Sequence, residues 1–362
     1  AYRTCMGKKH LRSRPYVDDL VRYSQACMLN NYDSVQKVEH MNLKNGLLIF
    51  NTEKGKFHFQ AHDRHILSKV QLSYEYNPKA KCPLWLQTLK DYFNMIESPQ
   101  VQTLQEFFGY CLTYDRSLEK ILFLFGASRG GKGTITHTLQ YLVGGGDCSM
   151  EYLLIPERRS SLCENKKMIF VDELPNFTSK NVINELKRMS STGGMEMRKL
   201  HQQPYITHQI PKMVIAFNQL PPNFEIDTAL KNRMVSLKFV KSFVGKENIH
   251  LKEKLIEEAP GILNWALEGY ERIYQRKRFN DYSQATIELY NQANDEMREI
   301  TVFLREKGRE NMIWKTSELL EHYQEATGDF KMTQQRFYRL IKWTGVTRTV
   351  KNGYYFYNLE KV

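Results

Sequence analysis

Gly126-Ala-Ser-Arg-Gly-Gly131-Lys132-Gly133-Thr134 has the spacing G-x-x-x-x-G-K, with a hydroxyl one place beyond the usual position. Glycines let backbone N–H groups curl round phosphate oxygens, the start of a following helix adds positive potential, and Lys132 reaches the β- and γ-phosphates. The candidate cradle for ATP is therefore Gly126, Ser128, Gly130, Gly131, Lys132, Gly133 and Thr134. The metal-binding hydroxyl usually follows the lysine directly. Here Gly133 takes that place, and the sequence leaves open whether Thr134 meets Mg²⁺ itself.

Forty residues after Lys132 come Asp172 and Glu173. An aspartate at a strand end can hold Mg²⁺, directly or through water, and a carboxylate beside it can polarise the attacking water. Asn218, another 46 residues on, follows a third apolar run, where a neutral amide can report the γ-phosphate without adding charge. Arg233, in Leu-Lys-Asn-Arg-Met, lies at the edge of the same block, and a guanidinium supplied to a neighbouring subunit stabilises transition-state charge. The catalytic candidates are thus Lys132, Asp172, Glu173, Asn218 and Arg233, with Thr134 and Asp172 as candidate metal ligands.

These residues need a scaffold. Residues 121–125 (Ile-Leu-Phe-Leu-Phe), 168–171 (Met-Ile-Phe-Val) and 213–217 (Met-Val-Ile-Ala-Phe) are short, wholly apolar runs, the pattern of strands buried on both faces. Each ends at a glycine or polar residue, where an α/β sheet places its chemistry at the strand's carboxyl end. The expectation is an α/β fold with a parallel sheet. Residues 45–50 and 55–59 predict two strands joined by a turn, the 83–114 stretch helices, and 17–28 further helical spacing. In the tail, 316–326 and 333–344 read as helices, and Asn352-Gly353 joins two alternating segments as a hairpin, which together predict a winged helix. Arg336, Arg339 and Lys342 recur along its second helix, and Arg348 and Lys351 fall on its wing. Contact with DNA and contact with another subunit are both open readings of that basic face.

Composition narrows the classes. The chain has 362 residues, 41% of them hydrophobic, and a formal charge of +12, which favours an anionic partner such as nucleic acid. Residues 281–329 carry 5 basic and 11 acidic side chains, and 330–362 carry 7 and 1, as expected of a small domain with one basic face. No apolar run approaches a membrane span, so no membrane partner is expected, and six scattered cysteines without C-x-x-C pairing suit a reduced, cytoplasmic setting. His58, His62 and His65 lack a supporting ligand set and read as a surface cluster. The chain opens on Ala1 rather than Met, which reads as a piece of something longer.

The order of these motifs resembles the superfamily 3 AAA+ helicases of the poxvirus, phage and plasmid primase-helicase type. The resemblance rests on 126–134, on Ile169-Phe-Val-Asp172-Glu173-Leu-Pro, on Lys212-Met-Val-Ile-Ala-Phe-Asn218-Gln-Leu-Pro221, and above all on the segment 186–204 with Thr192-Gly193-Gly194. In the family that last motif carries a β-hairpin lining a central pore. The resemblance thereby makes Arg198, Lys199, His201 and Gln202 candidate contacts to single-stranded DNA, beside Arg336, Arg339, Lys342, Arg348 and Lys351 in the tail. Met195 stands where the family has Asp, and Asn232-Arg233 where it has Arg-Arg.

The family further implies an AAA+ core preceded by a mostly helical N-terminal domain and followed by a winged helix, with boundaries at 1–110, 111–280 and 281–362. It implies a homo-oligomeric ring, a hexamer, that hydrolyses ATP with Mg²⁺ between subunits. Such a ring moves 3′-to-5′ on single-stranded and forked DNA in phage, plasmid or mobile-element replication, commonly behind a fused primase or polymerase. Two rivals stand beside this reading. One is an ATP-dependent origin initiator that assembles without processive unwinding. The other is a nucleotide kinase, suggested by Gly-Lys-Gly-Thr, which leaves the 198–203 segment and the tail without a role.

Overall fold

The structure, a computed structural model, describes residues 39–359 except 52, 54, 64, 67, 175–179, 200–201, 221–223, 225, 281–283, 311–312, 344–345 and 352–353. The helical spacing expected over 17–28, His201 and the Asn352-Gly353 turn lie outside the described residues. Contacts divide the chain into two compact units, Ala1–Tyr76 and Asn77–Val362.

The described part of the first unit is an antiparallel meander of β1 (His40–Leu43), β2 (Gly46–Asn51) and β3 (Lys56–Gln60). Asn45 at the first turn exchanges two hydrogen bonds with Tyr76: its Nδ2 donates to the Tyr76 carbonyl and its Oδ1 accepts from the Tyr76 N–H, both at 2.9 Å. Leu47 and Ile49 of β2 pack on Ile66 as a small core. His62 hydrogen-bonds Asn42 and the Leu43 carbonyl. Within the described part of 1–110, residues 40–60 are sheet, as the segments 45–50 and 55–59 predict, because a Gly-containing turn separates segments whose Leu, Ile and Phe residues suit a pleated surface, and 83–110 holds helices.

The second unit opens with α1 (Pro83–Phe93) and α2 (Pro99–Tyr110) before β4 (Ile121–Gly126). There follow α3 (Lys132–Val143), β5 (Gly146–Cys148), α4 (Met150–Leu153), α5 (Pro156–Cys163), β6 (Met168–Asp172) and α6 (Lys180–Ser190). A two-stranded hairpin comes next, β7 (Met195–Met197) with β8 (Tyr205–Thr207), then β9 (Lys212–Phe217), α7 (Thr228–Lys231) and β10 (Met234–Phe239). The three apolar runs are all strands of one parallel sheet, in the order β10-β4-β9-β6-β5. Ile121, Phe123, Ile169, Val171, Met213 and Ile215 face one core cluster beneath it.

Helices α8 (Leu251–Glu257) and α9 (Ala259–Arg276) return over α1 and α2. The α2–α9 crossing is close because it runs through glycines: a Cβ on Gly109 would lie 2.4 Å from Tyr270 N, and one on Gly269 only 2.2 Å from the Gln105 carbonyl. Glu106, 1% exposed, bonds Arg276 at 2.8 Å and the Asn280 N–H at 2.9 Å, and pairs with Arg272, so a buried carboxylate is fully engaged. Glu258 accepts from the Leu84 and Trp85 N–H groups at 3.0 and 2.9 Å, supplying the cap that Cys82 does not give α1. Trp85 and Trp265 meet Phe108 in this core. The expected boundary at 110 falls at the end of α2, whereas the contacts keep α1 and α2 with the sheet.

The C-terminal part is α10 (Gln284–Glu310), β11 (Ile313–Lys315), α11 (Thr316–Thr327), α12 (Gln334–Trp343), β12 (Thr347–Lys351) and β13 (Tyr354–Asn358). Its antiparallel sheet, ordered β11-β13-β12, packs with Phe303, Tyr323, Phe337 and Tyr357 in a separate core. Lys351 pairs with Tyr354, so only two residues join the last two strands.

Gly269→Ala tests the α2–α9 crossing. Helix propensity favours alanine by about 1 kcal/mol, so a net loss of about 2 kcal/mol or more in urea unfolding is expected if backbone overlap dominates.

Candidate functional site

Between β4 and α3 the chain turns sharply. Gly126 takes φ 114° and Gly131 φ 101°, and Arg129 between them φ 56°. A Cβ on Gly126 would meet the Phe239 carbonyl at 2.2 Å, and one on Gly131 the Tyr92 ring at 2.3 Å, so neither position admits a side chain. Gly133 is different: a Cβ there would meet nothing within 4 Å, so the place of the usual hydroxyl opens on empty space. The segment after β10 braces the loop, through Ala127 N–H to the Phe239 carbonyl at 2.8 Å, Ser242 Oγ to the Ser128 carbonyl at 2.9 Å, and Phe243 N–H to the Arg129 carbonyl at 3.2 Å.

Lys132 Nζ donates to the Gly126 and Ala127 carbonyls at 2.9 and 2.8 Å and to Asn218 Oδ1 at 2.9 Å. Burial holds its pKa below the ordinary lysine value, and the charge of Asp172 opposes that shift. Parallel pairing brings these groups together: β9 lies between β4 and β6, so Asn218 and Asp172 emerge beside the loop at one end of the sheet. Glu173 is exposed, in the left-handed region at φ 69°, with its N–H held by the Ala216 carbonyl at 2.9 Å. That conformation costs a non-glycine residue about 1 kcal/mol or more, and such strain is common at functional sites.

A cleft of 680 Å³ opens over the loop. Gly130 to Thr134, Asp172 and Asn218 line its floor, and Thr88, Tyr92, Phe243, Ile249 and Leu251 line the wall supplied by α1 and residues 243–251. The wall carries no motif, so spacing alone could not find it. Tyr92 packs on Gly131 and its hydroxyl bonds the Thr134 side chain, while burial raises its pKa. The residues fit a bound nucleoside triphosphate: a glycine cradle, the first-turn N–H groups of α3, an ammonium and a partly apolar wall converge on one cavity. Three exposed carboxylates line the cleft, and of these Asp172 stands at the end of β6 with the phosphate loop, while Asp91 and Glu247 belong to the wall; Thr134 is the nearby hydroxyl, engaged by Tyr92.

Arg233 is elsewhere. Its carbonyl accepts from the Ile121 N–H at 2.8 Å, at the amino end of β4 and β10, whereas Phe239 pairs with Gly126 at the phosphate end. Five strand residues, roughly 17 Å, separate the guanidinium's strand position from its own chain's phosphate loop. It bonds Glu119 at 2.8 Å and the Ala229 carbonyl at 3.0 Å.

The β7–β8 hairpin carries the segment expected to meet DNA. Met195 and Met197 are 2% exposed and belong to the core under the sheet, so the hairpin base is plugged by sulfur-bearing apolar side chains. Two buried arginines, neither anticipated from sequence, grip its backbone. Arg159 donates to the Glu196 carbonyl at 3.0 Å and pairs with Glu185, and Arg116 donates to the Gly193 carbonyl at 2.9 Å. Neither arginine sits in a periodic pattern that would have shown it. Arg198 and Lys199 are accessible but paired with Glu157 and Glu164 of the α5 region, at 3.6 and 2.7 Å. Gln202 is exposed. Arg336, Arg339 and Lys342 all fall on α12, and Arg348 and Lys351 on β12, a helix and a strand of one small body.

Arg159→Ala would leave the buried Glu185 with Arg188 alone as its cationic partner and strip the Glu196 carbonyl of its guanidinium donor. A loss of about 3 kcal/mol in denaturant unfolding is expected, together with increased proteolysis at residues 198–204.

A family model described as "D5 N terminal like" matches residues 6–94, and one described as a "family of unknown function (DUF5906)" matches residues 124–233, the span from the phosphate loop to Arg233. A search of curated proteins finds no match. Among solved structures, the apo structure of the NrS-1 C terminal region aligns with 11% identity and a TM-score of 0.51, over 89% of this chain and 96% of that one. An A-form apo structure of the same region aligns with 12% identity and a TM-score of 0.46, over 82% and 80%. The first likeness concerns the fold. The chain thus carries, in sequence order, a D5 N terminal like region and a parallel P-loop sheet within which the DUF5906 match falls.

Proposed function

We propose that this chain is an ATP-driven ring helicase that travels 3′-to-5′ on single-stranded DNA during the replication of a phage, plasmid or mobile element. The observation that carries the reading is the split of the catalytic set: Lys132, Asp172 and Asn218 converge on one cleft while Arg233 stands at the far end of β4 and β10. A site divided in this way is completed by a second copy, and a hexamer is the closed arrangement we assign to it. A bound Mg²⁺ would neutralise charge on the triphosphate. Gly126 to Thr134 would cradle the phosphates, with Ser128 and Gly130 shaping the loop, and Asp172 and Thr134 would hold the cation. Glu173 takes a proton from water, Asn218 hands Lys132 over to the γ-phosphate, and Arg233 serves the neighbouring subunit's site.

The hairpins, through Arg198, Lys199, His201 and Gln202, grip the strand. The β11–β13 body is read as a winged helix whose Arg336, Arg339, Lys342, Arg348 and Lys351 offer a basic face to forked DNA or to the ring. We assign residues 1–110 to an associated domain, 111–280 to the motor and 281–362 to the winged helix, the associated domain sharing α1 and α2 with the motor's packing.

One observation favours a second reading, an origin initiator. Arg198 and Lys199 are neutralised within the chain, so the hairpin of a single copy offers DNA little free charge. Strand displacement on forks of either polarity separates the two, because an initiator hydrolyses ATP without displacing a strand.

Lys132→Ala should weaken binding of a fluorescent ATP analogue at least a hundredfold. Arg233→Ala should keep that binding within about threefold and lose hydrolysis. Mixed with Glu173→Gln subunits in one ring, it should recover part of the turnover. A mixed ring with no recovery at any ratio would refute the shared site.

A further inference from the structure

The stretch between α2 and β4 lines no part of the ATP cleft, yet it holds two elements that the proposed ring mechanism must coordinate. Its start is pinned to the sheet: Lys167 Nζ donates to the Leu112 carbonyl at 2.8 Å and Lys212 Nζ to the Thr113 carbonyl at 2.5 Å, both lysines being buried. Asp115 then closes a turn on Ser117 by accepting from its N–H and its hydroxyl, each at 2.9 Å. From that turn Arg116, 5% exposed, reaches the Met189 carbonyl at 3.1 Å and the Gly193 carbonyl at 2.9 Å, the end of α6 and the turn that opens the hairpin.

Three residues later Glu119, held at φ 51° with its N–H on the Arg116 carbonyl, accepts from Arg233 at 2.8 Å. Arg233 Nε is buried without a hydrogen-bond partner among the described residues. The guanidinium is thus held by one carboxylate that is 33% exposed and one carbonyl, with a donor unspent. A pair of this kind is weak in water, and a triphosphate, with more charge and more acceptors than one carboxylate, outcompetes it.

We propose that residues 115–120 are a coupling turn. Glu119 is a positioning residue that keeps Arg233 in reserve until a neighbouring subunit's triphosphate draws the guanidinium away, and the loosened turn passes the change through Arg116 to the hairpin base. Because Arg116 and Glu119 are joined by the 116–119 hydrogen bond, a change at one end is felt at the other across a single turn of chain. The proposal rests on the reading of Arg233 as a finger acting between subunits.

The test uses the assembled full chain with ATP, with and without single-stranded DNA. Glu119→Gln keeps the shape and removes the charge. It should raise DNA-independent turnover at least threefold and reduce the stimulation by DNA to less than half. Glu119→Asp, which retains the charge on a shorter arm, should move the same ratio in the same direction. Arg116→Lys should lower the strands separated per ATP hydrolysed at least fivefold. In the unaltered protein, hydrogen exchange at 115–120 and at 193–197 should change together when a non-hydrolysable ATP analogue is added. Wild-type basal and stimulated rates in both Glu119 variants, or an exchange response confined to one of the two segments, would overturn the coupling turn while leaving the finger in place. Wild-type hydrolysis by Arg233→Ala would instead overturn the finger, and the coupling turn with it.

Discussion

The constraint on which the rest depends is the parallel pairing of β4 between β10 and β9. In a parallel sheet all the carboxyl ends lie on one side, so the loop after β4, Asp172 after β6 and Asn218 after β9 meet without help from any loop conformation. The same pairing sends the residue before β10 to the other end. Arg233 is therefore kept from its own phosphate loop by the hydrogen-bond register that builds the loop. Displacing β10 along β4 would disturb both at once.

Helix α1 and residues 243–251 give that sheet end a wall, with α2 and α9 packed behind α1. Their glycine-lined crossing and the buried Glu106 network fix α2, and the Glu258 carboxylate fixes the start of α1. α1 in turn carries Tyr92 to Gly131 and Thr134. The displaced hydroxyl of the phosphate loop thus meets a phenol from outside the motif, an arrangement that the usual Ser or Thr after the lysine would not need.

The hairpin is held by a different device. Its paired glycines open a turn whose carbonyls are bound by buried guanidinium groups, while methionines seal the base. A guanidinium suits this task because its several donors spread over carbonyls from two elements, and it stays charged when partly desolvated. Burial nevertheless lowers the pKa of Arg116, with Tyr110, Glu119 and Asp115 opposing the shift.

Local chemistry settled much of this molecule in advance. Runs such as Ile121–Phe125 and Met213–Phe217 have no polar face, the pattern of strands covered on both sides, and the glycines at 126 and 131 mark a turn that no side chain enters. The phosphate loop, Asp172 and Asn218 were legible for that reason: they follow directly from strands that announce themselves. What distant parts of the chain do to one another was decided by the tertiary structure. Tyr92 on Thr134, Arg159 on the hairpin and Glu119 on Arg233 are contacts across 42, 37 and 114 positions, made by single charged or aromatic residues that repeat with no period. Periodicity reports which face of an element is buried, but a lone polar contact depends on where two backbones come to rest, and only the packed sheet and its helices fix that distance.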